Sequence, residues 1–227
     1  MGLWNAGTHM ALDRSKDVGY TGLRATSALA MAMFEQTGLR ETIDSAFELD
    51  SRRKLTPGNA VKAFIGDMMG HADRRALSRV SDPFVQAPVS DLFGPKADLD
   101  GIGPTSLARN LDLLFTADLP QLTYDCYRRL QQFYGFDSKV FNIDSTNFGI
   151  SAKEKPADIE GAATAEWCGH PKDSKNRIVC SLLSVTDENS IVCYERPYDG
   201  ATADSVMDRG AIEFLTSEVD PGLTTLV

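Results

Sequence analysis

Phe141-Asn142-Ile143-Asp144-Ser145-Thr146 marks the point where this chain turns from helical to β character. Lys139 to Ile143 is a short β-prone apolar run, and it delivers one carboxylate, Asp144, into what reads as a Ser/Thr turn. Downstream, Ile178 to Val185, the turn Asp187-Glu188-Asn189-Ser190 and Ile191 to Glu195 predict an antiparallel hairpin. Thr202 to Thr216 then reads as a helix with Thr202 at its N-cap. Asp220-Pro221-Gly222 is a tight turn into a last short strand, Leu223 to Val227. Between the first strand and the hairpin lies a polar Lys/Glu-rich segment, Ser151 to Lys175.

Ahead of this stretch the period is helical. Leu29, Met33 and Phe34 give one short apolar face, with Gly38 placed to end it. Thr56-Pro57 starts the clearest helix, Thr as N-cap and Pro at the first helical position. Val61, Phe64, Ile65, Met68 and Met69 follow at helical spacing as its expected buried stripe, and Gly70 closes it. Ala72 to Val80 reads as a shorter helix whose Arg74, Arg75 and Arg79 are either a DNA-facing edge or a solvated face. Thr105 or Ser106 caps the next helix, and Asp118-Leu119-Pro120 opens one that ends at Gly135. The period changes from helical to β near Asp137-Ser138. The expected class is therefore a two-domain α+β chain: an all-helical N-terminal domain over 18–137 and a partial α/β core over 138–227.

Composition narrows the function. An apolar share of 42% is ample for a packed core. No apolar run approaches the ~20 residues that cross a bilayer, so no membrane association is expected. Met1 to Met10 lacks the basic flank and apolar stretch of a secretory signal. Cys126, Cys168, Cys180 and Cys193 show neither paired spacing nor a CxxC, and they read as buried thiols rather than zinc ligands or disulfides. The formal net charge of −9 argues against indiscriminate coating of nucleic acid but leaves room for a focused basic groove. Arg52-Arg53-Lys54, just before Thr56, is the cleanest exposed basic cluster. Lys172 and Lys175 are further candidates for phosphate contact, with solvated surface as the alternative reading.

Cleavage and transfer of a phosphodiester by two metals needs several carboxylates converging on ions ~3.5–4 Å apart. Strand positions carry such ligands well because they are rigid, and Asp144 stands in one such place. On its own, an Asp-Ser-Thr after an apolar run is equally an ordinary turn.

Three segments in order around the hairpin extend this reading. They are Asp144-Ser145-Thr146, Gly169-His170-Pro171-Lys172-Asp173 and Gly200-Ala201-Thr202-Ala203-Asp204-Ser205. Together they resemble DDE-type insertion-sequence transposases, and more narrowly the insertion sequence four superfamily, whose first catalytic Asp lies in an Asp-x-Thr motif. Leu39 to Ile43, Leu55 to Ala63 and Leu107 to Ala117 are similar to the helical domain of unknown function that precedes the core in one branch of these transposases. Pro171 stands where that family has Ser, and Ala201 where it has Asn.

The resemblance implies a truncated ribonuclease-H-like core, with its sheet ordered third, second, first and fourth strand. It implies Asp144 as catalytic residue and metal ligand, Mg²⁺ as the ion with Mn²⁺ as the alternative, and DNA at transposon ends as partner. A homodimer and a cytoplasmic, nucleoid-associated place in a prokaryotic cell go with it. In that family a second Asp follows the fourth strand and a Glu lies further on, so the chain reads as an N-terminal portion of a transposase, inactive alone. The competing readings are a non-catalytic DNA-binding or regulatory remnant, and a helical protein–protein module in which Asp144 is an inert turn residue.

Overall fold

A computed structural model describes residues 23–70, 76–150, 154–168, 178–219 and 225–227. The chain divides into two units, Met1–Ala117 and Asp118–Val227.

The first unit carries helices α1 (Ala25–Gln36), α2 (Leu39–Ser45), α3 (Pro57–Gly70), α4 (Val89–Phe93) and α5 (Pro104–Phe115). Among its described residues there is no strand. The chain turns sharply from α1 into α2 at Gly38, whose φ of 79° lies where glycine alone is unstrained. Pro57 opens α3 as expected. Thr56 Oγ1 accepts from the Asn59 amide at 3.3 Å, and Asp44 Oδ1, from α2, accepts from the Gly58 amide at 2.7 Å. The expected buried stripe of α3 is displaced: Val61, Phe64 and Ile65 are half-buried, with Phe64 packed against the core of the unit. Asn59, Ala60, Lys62, Ala63, Gly66, Asp67 and Gly70 are buried, whereas Met68 and Met69 are 73% and 53% exposed. Small residues let α1 and α2 approach closely: a Cβ on Gly58 would overlap the Arg40 carbonyl oxygen, and one on Gly66 would press on Met31 Sδ. Lys62, buried on this face, donates to Glu35 Oε2 at 2.9 Å and to the Leu92 carbonyl at 2.6 Å. Glu35 also accepts from Arg40, which reaches Asp44. Burial pushes the Glu35 carboxyl up, but the hydrogen bonds and charges of Lys62 and Arg40 outweigh it and hold the group below its ordinary value.

Two further expectations are corrected here. Among the described residues of the segment 72–80 there is only a single 3-10 turn, Leu77–Arg79; Arg74 and Arg75 lie outside the described residues. Neither Thr105 nor Ser106 caps α5: Gly103 holds the N-cap position, without a side-chain bond, and Pro104 begins the helix.

The second unit opens with α6 (Leu119–Tyr134), capped by Asp118 and closed by Gly135 at φ 68°. Its Tyr124 and Tyr127 are buried with Phe141, Leu183, Val185 and Tyr194, so this helix packs on the sheet. The change of period near Asp137-Ser138 marks the start of the sheet, about twenty residues after the division between the units. The strands are β1 (Val140–Ile150), β2 (Glu166–Trp167), β3 (Ile178–Asp187), β4 (Val192–Asp199) and β5 (Thr225–Leu226), with α7 (Asp204–Glu218) between β4 and β5. β1 pairs antiparallel with β3 and parallel with β5. β4 and the short β2 share the other edge of β3, so the order is β4, β3, β1, β5. α7 begins after Ala203 with no side-chain cap, and Thr202 does not fill that role.

Alternation decides which face is covered. Leu183, Val185 and Asp187 of β3 are buried, and Cys180, Leu182, Ser184 and Thr186 are half-buried on the other face. Asp187, 1% exposed, ties the hairpin to its surroundings. It accepts from Ser138 Oγ at 2.6 Å, from the Asn189 and Ile191 amides at 2.9 Å each, and from Tyr127 Oη at 3.4 Å. Burial opposes ionisation of this carboxyl, yet the convergent donors prevail and its pKa falls below the usual value.

Candidate functional site

Asp144 is exposed on β1, the strand that carries a ladder on both sides. On the β5 side, the Thr225 amide donates to Lys139 O at 2.7 Å, the Val227 amide to Phe141 O at 2.8 Å, and the Ile143 amide to Val227 O at 3.1 Å. The Ser/Thr turn expected after Asp144 does not form; β1 runs six residues further, to Ile150, and Asp144 sits mid-strand. The reason is the partner. β3 is long enough to pair every residue from Phe141 to Ile150. The polar residues of the continuation are accommodated on the covered face, where Ser181 Oγ donates to Asn147 Oδ1 at 2.7 Å.

Directly opposite Asp144 on β3 is Ser184, and opposite Ser184 on β4 is Glu195. Cross-strand partners share a face, so the three form a polar row across the open side of the sheet. Ser184 Oγ donates to Glu195 Oε1 at 3.4 Å. Asp144 and Glu195 stand two strands apart, about 10 Å between backbones. The signal for this row in the sequence was the alternation of β3, but register, which only pairing sets, was needed to bring Ser184 and Glu195 to Asp144. A Mg²⁺ ion takes one or two carboxylates and completes its shell with water and substrate oxygens. Asp144 supplies one hard, accessible oxygen donor of that kind. Among the described residues, no group of three or more His, Cys, Asp or Glu side chains is placed to hold a metal ion.

The cysteines stand apart from this row as free thiols. Burial pushes Cys193 up to about 12 and Cys126 up to about 11, which disfavours the thiolate form that zinc and nucleophilic chemistry require.

The basic cluster of the first unit has a different geometry from a bare run of charge. Arg52 is ion-paired to Asp50 at 2.6 Å and Lys54 to Asp98 at 2.6 Å. The hydrogen bond to Arg52 lowers the Asp50 pKa, and that to Lys54 lowers Asp98. Arg53 is half-buried and donates from Nη1 to Asn110 Oδ1 at 2.8 Å. Asp50, Arg52, Arg53, Lys54 and Asn110 line a cleft of about 590 Å³, which Leu55, Asp100, Gly101, Ser106 and Arg109 complete. Arg109 and Asn110 were not legible as site residues, because α5 is brought to the 50–55 loop only by the tertiary fold. Lys172 and Lys175, with His170 and Asp173, lie outside the described residues.

The segment around Gly200 has a packing role. A Cβ there would overlap the Val179 carbonyl oxygen, while the Ala201 amide donates to Glu166 Oε2 at 2.9 Å. Among the described residues no helix is long and apolar enough to cross a membrane.

Residues 18–126 match the model of a family described as Domain of unknown function (DUF4277). The match takes in α1 to α5 and the first half of α6, somewhat less than half of the chain. No curated protein and no solved structure matches the chain.

Proposed function

We propose that the chain is the N-terminal portion of a DDE-type insertion-sequence transposase, acting on DNA at transposon ends by metal-dependent phosphodiester hydrolysis and strand transfer. The observation that carries this reading is the placement of Asp144: exposed, in the Asp-x-Thr sequence, on a strand flanked by the first hairpin strand on one side and the parallel strand β5 on the other. Support comes also from the order of the three motif segments and from the strand order β4, β3, β1, β5, which is the one the resemblance expects. The match to a domain of unknown function over 18–126 falls in the helical half, where the resemblance expects one.

In this reading Asp144 holds Mg²⁺, or Mn²⁺, with oxygen donors beyond those described. The ion would supply electrostatic stabilisation of the reacting phosphate oxygens. The chain's own contribution is a rigid carboxylate: β1 is hydrogen-bonded on both edges, so Asp144 keeps a fixed position on the open face.

The test uses the reading frame extended through the downstream codons, with the flanking inverted repeats as substrate. Mg²⁺-dependent cleavage and joining that Asp144→Ala abolishes, by at least about 10³-fold, is the expected result. Activity that survives Asp144→Ala removes the assignment. The 227-residue chain alone is expected to leave the same DNA intact. A second reading, a non-catalytic DNA-binding remnant, is favoured by the basic cleft of the first unit, which does not involve Asp144. An extended frame that binds the repeats but never cleaves them decides for that reading.

A further inference from the structure

The 50–55 loop and the first half of α5 line an open cleft whose charge runs against that of the chain. The chain carries a formal net charge of −9, yet Arg52, Arg53, Lys54 and Arg109 line the cleft against Asp50 and Asp100. The four bases are not equivalent. Arg52 and Lys54 are already neutralised by Asp50 and Asp98 at 2.6 Å. Among the described residues, Arg53 and Arg109 form no ion pair.

Arg53 is nevertheless held in place. Asn110, 1% exposed, accepts one Nη1 hydrogen bond through Oδ1 and donates from Nδ2 to the Ser106 carbonyl at 2.9 Å. That second bond fixes which way the amide points, so Oδ1 must face Arg53. A structural arginine is ordinarily anchored by a carboxylate, which cancels its charge. Here the anchor is neutral, and the guanidinium keeps a full positive charge with four of its five N–H donors free of Asn110. Asp50 lies close enough to feel the charge of Arg53 but makes no ion pair with it, and a cationic fork held by a buried neutral acceptor beside a second arginine without an ion pair is suited to taking a tetrahedral oxyanion bidentately.

We propose that this cleft is a binding site for the phosphodiester backbone of duplex DNA, in which Arg53 and Arg109 contact the phosphate and Asn110 is a positioning residue for Arg53. The proposal rests on the reading of the chain as one that acts on DNA, and it replaces an undifferentiated basic run by two contact residues, one of them outside that run. It also sorts the run: Arg53 binds, whereas Arg52 and Lys54 are held by their carboxylates.

The full 227-residue chain is titrated with a fluorescein-labelled duplex of arbitrary sequence over a range of salt concentrations. Arg53→Gln and Arg109→Gln are each expected to weaken binding by about tenfold. Each is also expected to reduce the slope of log K against log salt by about one. Arg52→Gln should change affinity less than about threefold, because Asp50 already neutralises it. Asn110→Asp keeps an acceptor for Arg53 but cancels its charge and loses the bond to the Ser106 carbonyl, so DNA binding should fall as far as in Arg53→Gln; Asn110→Ala, which removes the anchor without adding a charge, should weaken binding less, with the fold of both followed by far-ultraviolet circular dichroism. Wild-type binding with unchanged affinity and slope in both arginine variants overturns the site and leaves the DNA reading standing. No binding by the wild type overturns the site, while the reading of the chain as one that acts on DNA is decided separately by the extended frame on the inverted repeats. A mononucleotide or inorganic phosphate that saturates the cleft at micromolar concentration, with DNA binding absent, assigns it to a free phosphate ligand and overturns the proposal as well.

Discussion

The two units bring their elements together in different ways. In the first, α3 crosses α1 and α2 on glycine and alanine, with Lys62 and Glu35 drawn into the same seam. In the second, the sheet is covered by large rings: Tyr124 meets Phe214 edge to face at 5.8 Å, and Tyr194 meets Phe214 at 5.2 Å. Close backbone approach needs small side chains and leaves large ones outside; a sheet under helices leaves a gap of about 10 Å that only large side chains fill. Large apolar residues are buried in both units, Met31, Phe84 and Leu107 in the first and Tyr127, Phe141 and Leu183 in the second, and the first unit adds a helix seam closed by small ones.

The largest effect belongs to the second unit. Asp187→Ala removes a buried acceptor shared by Ser138, Tyr127 and the turn amides, and should cost about 3–5 kcal/mol, read as a shift in urea unfolding. Its pH dependence has a definite sign. The folded-state pKa lies below the ordinary 3.8, so the stabilisation is complete above that value and is lost as pH falls through the lower folded one. Wild type and Asp187→Ala should converge in stability in strong acid. A gap that stays constant down to pH 2 would mean that the carboxylate charge contributes nothing.

In the first unit the comparison sharpens at two glycines. Gly58→Ala places a methyl against the Arg40 carbonyl oxygen, backbone that cannot swing aside, and should cost about 2–3 kcal/mol. Gly66→Ala meets Met31 Sδ at 2.6 Å and Phe84 Cζ at 3.0 Å, but the thioether end is flexible. Alanine also gains about 1 kcal/mol of helix propensity there, so the net change should stay within about 1 kcal/mol. Equal losses at the two positions, measured by thermal unfolding, would show that the α2–α3 crossing is no tighter than the α1–α3 one.

A smaller effect of opposite sign is expected at Ser190, whose φ of 63° is the one left-handed non-glycine conformation among the described residues. It closes the turn by donating its amide to Asp187 O at 2.9 Å. Ser190→Gly should stabilise the hairpin by about 0.5–1 kcal/mol, seen as slower amide exchange at Asn189 and Ile191.

How far each unit was legible follows from the same contrast. The hairpin and the Thr56-Pro57 start could be read in the sequence, because alternation, turn residues and caps act locally, whereas the strand order β4, β3, β1, β5 was expected only from the resemblance. Three things could not. The extension of β1 through Ser145-Thr146-Asn147 depends on the length of β3, which no feature of β1 announces. The placement of α6 with the sheet depends on which surface Tyr124 and Tyr127 find, not on their spacing. Of the candidate sites, Asp144 and Arg53 carried signals of their own, while Arg109, Asn110, Ser184 and Glu195 gained meaning only from partners distant in sequence.

The displaced face of α3 supplies the smallest and most discriminating test. Helical spacing alone puts Val61, Phe64, Ile65, Met68 and Met69 inside, and a methionine buried there would lose about 2–5 kcal/mol on truncation. The structure instead places Met68 and Met69 at 73% and 53% exposure, on the side of the helix away from Ala60, Ala63 and Gly66. Exposed methionines have little contact to lose, and serine is only slightly poorer than methionine as a helix former. Met68→Ser and Met69→Ser should therefore each change stability by no more than about 0.5 kcal/mol, whereas Ala63→Ser, fully buried on the opposite side, should cost more than either because its hydroxyl has to be desolvated. Chemical denaturation of the three variants ranks them directly. A loss at Met68 exceeding that at Ala63 would turn α3 back to the orientation that its hydrophobic period suggests and would remove the small-residue seam from the first unit.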